Sequence, residues 1–165
     1  MRQLITNQLL QQFTKKEQPM ATHSLVKIYV HLIWGTLSRE RILNKNLRIS
    51  LFKHYVERAK ELSLQIEKMN IQPEHVHILL TLPADQTIAQ VSKNLKGESS
   101  HWINDNNLLP GKFNWQRGYG AFSVSASQLT KVKNYIASQE EHHKKQSFYQ
   151  EYKEWAKKYG VWYED

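Results

Sequence analysis

Hydrophobic positions alternate from Leu25 to Trp34, with Val26, Ile28, Val30, Leu32 and Trp34 set against Leu25, Lys27, Tyr29, His31 and Ile33, and this period of two predicts a strand over 25–34. After the polar "GTLSRER" the period changes. Leu47, Leu51, Phe52, Tyr55, Val56, Ala59 and Leu62 share one helical face while Lys53, Glu57, Arg58 and Lys60 occupy the others, as in an amphipathic helix. "LQIEKMNI" and "EHVHILLTL" are two β-rich runs joined by "QP", a connection short enough for an antiparallel hairpin. Thr87 then reads as an N-cap with Gln90 completing a capping box, and Ile88, Val91, Leu95, Trp102 and Ile103 form the stripe of a second helix. "FNWQRGYGAFSVS" is an aromatic and β-branched run interrupted by Gly118 and Gly120, a strand with a bulge or a close backbone approach. Ser125, with Gln128 three residues on, caps a third helix at about 127–141 whose stripe is Leu129, Val132 and Ile136. Phe148, Tyr152, Trp155 and Tyr159 mark a last helix that stops at Gly160.

The order strand, helix, strand, strand, helix, strand, helix, helix specifies an α+β fold: a ferredoxin-like, split βαβ antiparallel sheet with helices on one face, plus C-terminal helices. A chain of 165 residues is the size of one domain, expected over 24–165. Residues 1–23 are Gln-, Thr- and Lys-rich and read as a tail, disordered or not native, with Met20 as an alternative start.

Composition narrows the function classes. Twenty-three Lys plus Arg against 15 Asp plus Glu give a formal charge of +8, which favours a polyanionic partner, nucleic acid first. The absence of cysteine excludes disulfides, thiolate metal sites and a cysteine nucleophile. The longest apolar runs fall short of a membrane span and the N-terminus has no signal-peptide pattern, so the expectation is a cytoplasmic protein.

The candidate chemistry centres on "NIQPEHVHILLTLP", residues 70–83. On a strand, His75, His77 and Leu79 point to one face and Val76, Ile78 and Leu80 to the other. Two imidazoles on one face can converge on a cation, and they can equally be strand residues with ordinary hydrogen bonds. Their place directly after a hairpin, in the most apolar stretch of the chain, would hold them rigidly, which suits a site. A metal would need further ligands; oxygen donors favour an ion of the Mg or Mn type, and the histidines leave Zn open.

In "KVKNYIASQEEHHKK", Tyr135 and Gln139 are four apart and so stacked on one helical face, on the shoulder of a core stripe. Tyr135 reads either as a boundary tyrosine or as a reactive hydroxyl. Lys131 and Lys133, with Lys144 and Lys145 beyond, either crowd positive charge around a phosphate or line a solvated face. Arg117 beside two glycines offers close approach to a phosphate, and Trp115 and Tyr119 are candidate stacking platforms or core residues. His142 and His143, adjacent at a helix end, point two ways and read as last-turn capping against the helix dipole, not as a second metal site.

"PEHVHILL", "RGYGAFSVS" and "VKNYIASQEEHHKKQSFYQEY", in that order, resemble the single-tyrosine HUH transposases of the insertion-sequence-200-like group, over about residues 24–160. The resemblance implies a transposase that cleaves and rejoins single-stranded DNA at hairpin ends through a 5′-phosphotyrosine intermediate with a divalent metal, Mg2+ or Mn2+. It assigns Tyr135 as nucleophile and His75, His77 and Gln139 as metal ligands. It also implies a homodimer in which the tyrosine helix can complete the partner's site. DNA contacts are expected from Arg117, Lys131, Lys133 and Tyr119. Two alternatives stand beside this reading: a domesticated repeat-associated tyrosine transposase with the same chemistry, and a non-catalytic ferredoxin-like nucleic-acid-binding module whose histidine pair is structural.

Overall fold

The structure, a computed structural model, describes residues 25–143 and 146–161. The expected tail over 1–23 and the lysines at 144 and 145 lie outside the described residues, as does the side chain of His142. Among the described residues, β1 (Ile28–Gly35), α1 (Lys45–Glu61), β2 (Gln65–Ile71), β3 (His75–Leu82), α2 (88–105), β4 (Gly120–Val124), α3 (Leu129–Ala137), α4 (Gln139–His142) and α5 (Phe148–Lys158) follow in the predicted order. The sheet order is β2-β3-β1-β4 with every neighbouring pair antiparallel, which is the ferredoxin-like, split βαβ topology.

Side chains of alternating strand positions divide the molecule into two layers. Val30, Leu32 and Trp34 of β1, Ile66, Met69 and Ile71 of β2, and Val76, Ile78 and Leu80 of β3 form the main core with Leu51 and Tyr55 of α1 and Val91, Leu95 and Ile103 of α2. The other face carries Ile33, Phe122 and Phe148, with Tyr152 and Trp155 packed against them. Both faces are therefore covered. Six consecutive residues of β1, from Val30 to Gly35, are buried, as a strand covered on both faces requires.

Boundaries moved for identifiable reasons. β1 begins at Ile28 and not at residue 25, because the register ends at Ile28 opposite Leu82 and at Tyr29 opposite Val124, leaving the preceding residues without a strand to pair with. The run expected as a strand over 113–125 pairs only over Gly120–Val124. Gly118 turns the chain at φ +74, and Trp115 makes an isolated bridge to Thr36. The capping box of Thr87 and Gln90 forms as read, and α2 then carries a π segment at Lys93–Gly97 between α-helical ends.

The third helix is the largest departure. Ser125 makes no side-chain cap to the short 3-10 turn Ala126–Gln128, its hydroxyl lying 3.0 Å from that of Ser127 instead. The helix expected to reach 141 ends at Ala137. Ser138 Oγ donates to Asn134 O at 3.0 Å and to Tyr135 O at 3.2 Å, and Asn70 Nδ2 donates to Ile136 O at 2.9 Å. The Tyr135 and Ile136 carbonyls, which a continuing helix would pair with residues 139 and 140, thus accept from side chains, Ser138 leaves helical geometry at φ −93 and ψ 15, and α4 starts after it.

Candidate active site

β3 is the central strand that presents the two histidines. Gly35 lies opposite His75 and Ile33 opposite His77 in the β1–β3 ladder, while Asn70 lies opposite His77 in the β2–β3 ladder. Both rings are fully buried, because α3, α4 and α5 cover this face of the sheet. Phe148, at the start of α5, stacks flat on the His75 ring at 4.1 Å and 3°. Gly35 makes room for it: a Cβ there would meet Phe148 Cε1 at 3.1 Å and Glu74 O at 3.4 Å.

Around the pair sit four further polar side chains. His31 of β1 lies with Nε2 3.0 Å from His77 Nδ1. Glu74 approaches His75 Nδ1 at 3.5 Å and is itself held by Arg41 at 3.0 Å. His143, just past α4, places Nε2 3.1 Å from His75 Nε2 and 3.3 Å from Glu151 Oε2. Glu151 of α5 also accepts from Gln139 Nε2 at 3.3 Å and lies 4.0 Å from His77 Nε2. One ligand atom from each of His75, His77, His143 and Glu151 lies within 4.8 Å of every other.

Tyr135 completes the constellation from α3. Its ring is edge-on to His77 at 6.0 Å and to His31 at 6.4 Å, and it packs against Trp155 at 5.7 Å. The tyrosine helix thus meets the histidine pair of its own chain. Asn70, one strand away, anchors that helix through its bond to Ile136 O.

Electrostatics in the cluster follow from burial. Desolvation lowers His31 to about 3 and His75 to about 4, the latter against the opposing pull of Glu74. Burial raises the Glu151 carboxyl to about 8, with Glu154 and Glu74 adding repulsion. Burial also pushes Glu74 upward, but His75, Arg41 and His143 outweigh it and hold this carboxyl below its ordinary value.

The residues read from sequence divide clearly. His75, His77, Tyr135 and Gln139 converge, although the break at Ser138 separates the last two, so they do not share one continuous helical face. Arg117 and Tyr119 are exposed and line a small pocket beside Gly35 and Phe148, together with Arg39. Lys131 is exposed, whereas Lys133 is bound to Glu67 at 2.6 Å. Trp115 is buried and donates to Ser99 Oγ at 3.0 Å, which makes it core.

One reading fails. His143 is not a last-turn cap; it sits in the cluster, because the turn at Ser138 rotates the residues after it away from the register of α3. Glu151 and His31 were not singled out either. A signal for Glu151 existed in the sequence: an acidic residue between Phe148 and Trp155 at spacings of three and four falls on the apolar stripe of its helix.

A helix following the fourth strand delivers one tyrosine to a His-x-His pair on the central strand of a split βαβ sheet, the arrangement by which single-tyrosine transposases are known. Sequence comparison agrees: residues 24–139 match the family described as transposase IS200 like, and the chain belongs to that family and is a tyrosine transposase. It is similar to the ISDra2 transposase TnpA of Deinococcus radiodurans, with 29% identity over 114 residues that cover 66% of this chain and 81% of the relative. Its fold is similar to the crystal structure of a transposase from Deinococcus radiodurans R1, with a TM-score of 0.60 and 24% identity over 74% of this chain and 98% of that one. A REP-associated tyrosine transposase bound to a REP hairpin shares the fold with a TM-score of 0.57 and 15% identity, over 76% of this chain and 74% of that one. Among the described residues, no helix is long and apolar enough to cross a membrane.

Proposed function

We propose that this transposase cleaves and rejoins single-stranded DNA at hairpin ends, with Tyr135 as the nucleophile and a divalent metal at the histidine pair. The observation that carries the proposal is the edge-on approach of the Tyr135 ring to His77 at 6.0 Å, beside a buried set of metal-binding donors. The donor chemistry fits a cation. Imidazole nitrogens and a carboxylate converge in a buried volume, and Gln139, fully buried, lies against them. His75, His77 and Gln139 would hold the ion; when bound, it supplies positive charge to the phosphoryl group under attack.

The chain's own residues supply the rest. The Tyr135 oxygen forms a bond to the backbone phosphorus, the bond from phosphorus to the 3′ oxygen breaks, the phenolic proton goes to solvent, and the leaving oxygen takes one up. The product is a 5′-phosphotyrosine and a free 3′-OH. Since one phosphodiester is exchanged for another, rejoining needs no nucleotide cofactor. Trp155 packs on the tyrosine ring and Asn70 holds its helix, so the ring is positioned beside the histidine pair before substrate arrives. Arg117 and Lys131 are exposed cations for the DNA backbone, and Tyr119 is an exposed ring for an unpaired base. The hairpin-bound relative of the same fold supports hairpin DNA as partner.

The test is a labelled hairpin oligonucleotide incubated with protein and Mg2+ or Mn2+, then run on a denaturing gel. Wild type is expected to give a covalent adduct and Tyr135→Phe none; an adduct that persists in Tyr135→Phe sinks the assignment. Hairpin binding with no adduct under either metal favours the non-catalytic module. The homodimer implied by the resemblance is tested by mixing Tyr135→Phe with the double variant His75→Ala, His77→Ala. Recovered cleavage means sites shared between subunits, and none means a site completed within one chain, which the closeness of Tyr135 to its own His77 supports.

A further inference from the structure

Each of three histidines has one ring nitrogen turned to an orienting group and the other turned inward. His75 Nδ1 faces Glu74 at 3.5 Å, His77 Nδ1 faces His31 at 3.0 Å, and His143 Nδ1 faces the carbonyl of Gln146 at 3.0 Å. A carbonyl only accepts, so His143 Nδ1 carries the proton and its Nε2 has the lone pair. The Glu74 carboxylate, 3.5 Å from His75 Nδ1, favours the proton on that nitrogen and the lone pair on Nε2. Carboxylate and carbonyl partners of this kind are what orient metal-bound imidazoles.

The inward atoms then face one another. His75 Nε2 and His143 Nε2 are 3.1 Å apart, two lone pairs in a site with no exposed surface at His75. The Glu151 carboxyl group lies beside them, with Oε2 3.3 Å from His143 Nε2 and Oε1 4.0 Å from His77 Nε2. An ion with bonds of about 2.1 Å spaces its neighbouring ligand atoms about 3.0 to 3.4 Å apart. The 3.1 and 3.3 Å separations match the edges of such a coordination shell, and the 4.0 Å from Glu151 to His77 and the 4.8 Å bound on the whole set require the side chains to draw in around an ion.

We propose that His143 and Glu151 are further metal ligands that join His75 and His77, so that three imidazoles and one carboxylate, beside the Gln139 amide, form a site for a first-row transition-metal ion. This rests on the reading of the site as a metal centre under the proposed function. Both added ligands lie beyond residue 139, where the match to the family ends. Three imidazoles and one carboxylate favour Mn2+, Co2+ or Zn2+ over Mg2+, which prefers oxygen ligands and retains its water. The ion would also tie α5 to the sheet, because Glu151 is on α5 and His75 and His77 are on β3.

The experiment uses the full chain stripped of metal with a chelator. Co2+ is titrated while its visible absorption is followed, Zn2+ is measured by competition, and Mn2+ and Mg2+ by calorimetry. Wild type is expected to bind one ion per chain, with Mg2+ at least about 100-fold weaker than Mn2+. His143→Ala and Glu151→Gln are each expected to weaken Co2+ and Zn2+ binding by at least about 30-fold and to change the Co2+ spectrum. Circular dichroism confirms folding, and His143→Gln replaces the alanine variant if that one does not fold. Folded variants that keep wild-type affinity and spectrum overturn the proposal, as does a wild type that binds Mg2+ as tightly as Mn2+. The adduct assay separates the two readings. Metal held by all four donors without any adduct defeats the proposed function alone, and adduct formation with unchanged metal affinity in Glu151→Gln defeats this inference alone.

Discussion

Replacing Phe148 by alanine removes the ring that stacks on His75 and fills the space above Gly35. The side chain is 6% exposed and belongs to the smaller apolar cluster, with Ile33 and Phe122, that seats α5 on the sheet. Truncating a buried phenylalanine costs about 3 to 5 kcal/mol, and the lower end applies here because α5 is peripheral and Tyr152 and Trp155 remain. A loss of about 3 kcal/mol corresponds to roughly two decades in the docking equilibrium of α5. The main core lies on the opposite face of the sheet and keeps its own contacts. Amide hydrogen exchange should therefore quicken by about 100-fold across Phe148–Lys158 while exchange in β1 and β3 changes by less than about threefold. Phe148→Leu, which keeps most of the volume, is expected to cost less than about 1.5 kcal/mol. If β1 and β3 lose protection in step with α5, then α5 unfolds with the whole domain and the reasoning from two separate clusters is wrong.

Three further outcomes rest on the same geometry. His31→Leu keeps a buried side chain of similar size but removes the partner of His77 Nδ1; the fold should persist by circular dichroism while metal affinity in a Co2+ titration falls by about 10- to 100-fold. Asn70→Ala frees Ile136 O and loosens α3, lowering stability in urea by about 1 kcal/mol and slowing adduct formation more than it weakens hairpin binding. A double-mutant cycle on Lys133→Met and Glu67→Gln should give a coupling of about 1 kcal/mol or less, since Lys133 is one third exposed, and Lys133→Met should reduce the salt dependence of DNA binding less than Lys131→Ala does.

The element order, the capping box at Thr87 and Gln90, and the pairing of β2 with β3 were legible because each is written in short-range periodicity. The His75–His77 pair and Tyr135 were legible as candidates for the same reason, since spacing on a strand or helix determines which side chains share a face. His143 escaped because its direction depends on carbonyls engaged by Ser138 and Asn70, and the second of these reaches from a different strand. Reading a continuous helix through residue 141 made His143 a last-turn cap. Glu151 was visible only as a polar break in the stripe of α5.

By itself, then, the sequence determined a split βαβ sheet, a histidine pair on its central strand and a tyrosine on a later helix, all of them consequences of local period and order. Tertiary structure alone decided that α3 to α5 fold back over that strand, burying the pair and bringing His31, His143 and Glu151 to it. The physical reason is range. Backbone geometry sets the face a residue occupies within its own element, whereas the meeting of residues 68 and 76 positions apart, His75 with His143 and His75 with Glu151, is set by a helix break and by the packing of Phe148 over Gly35.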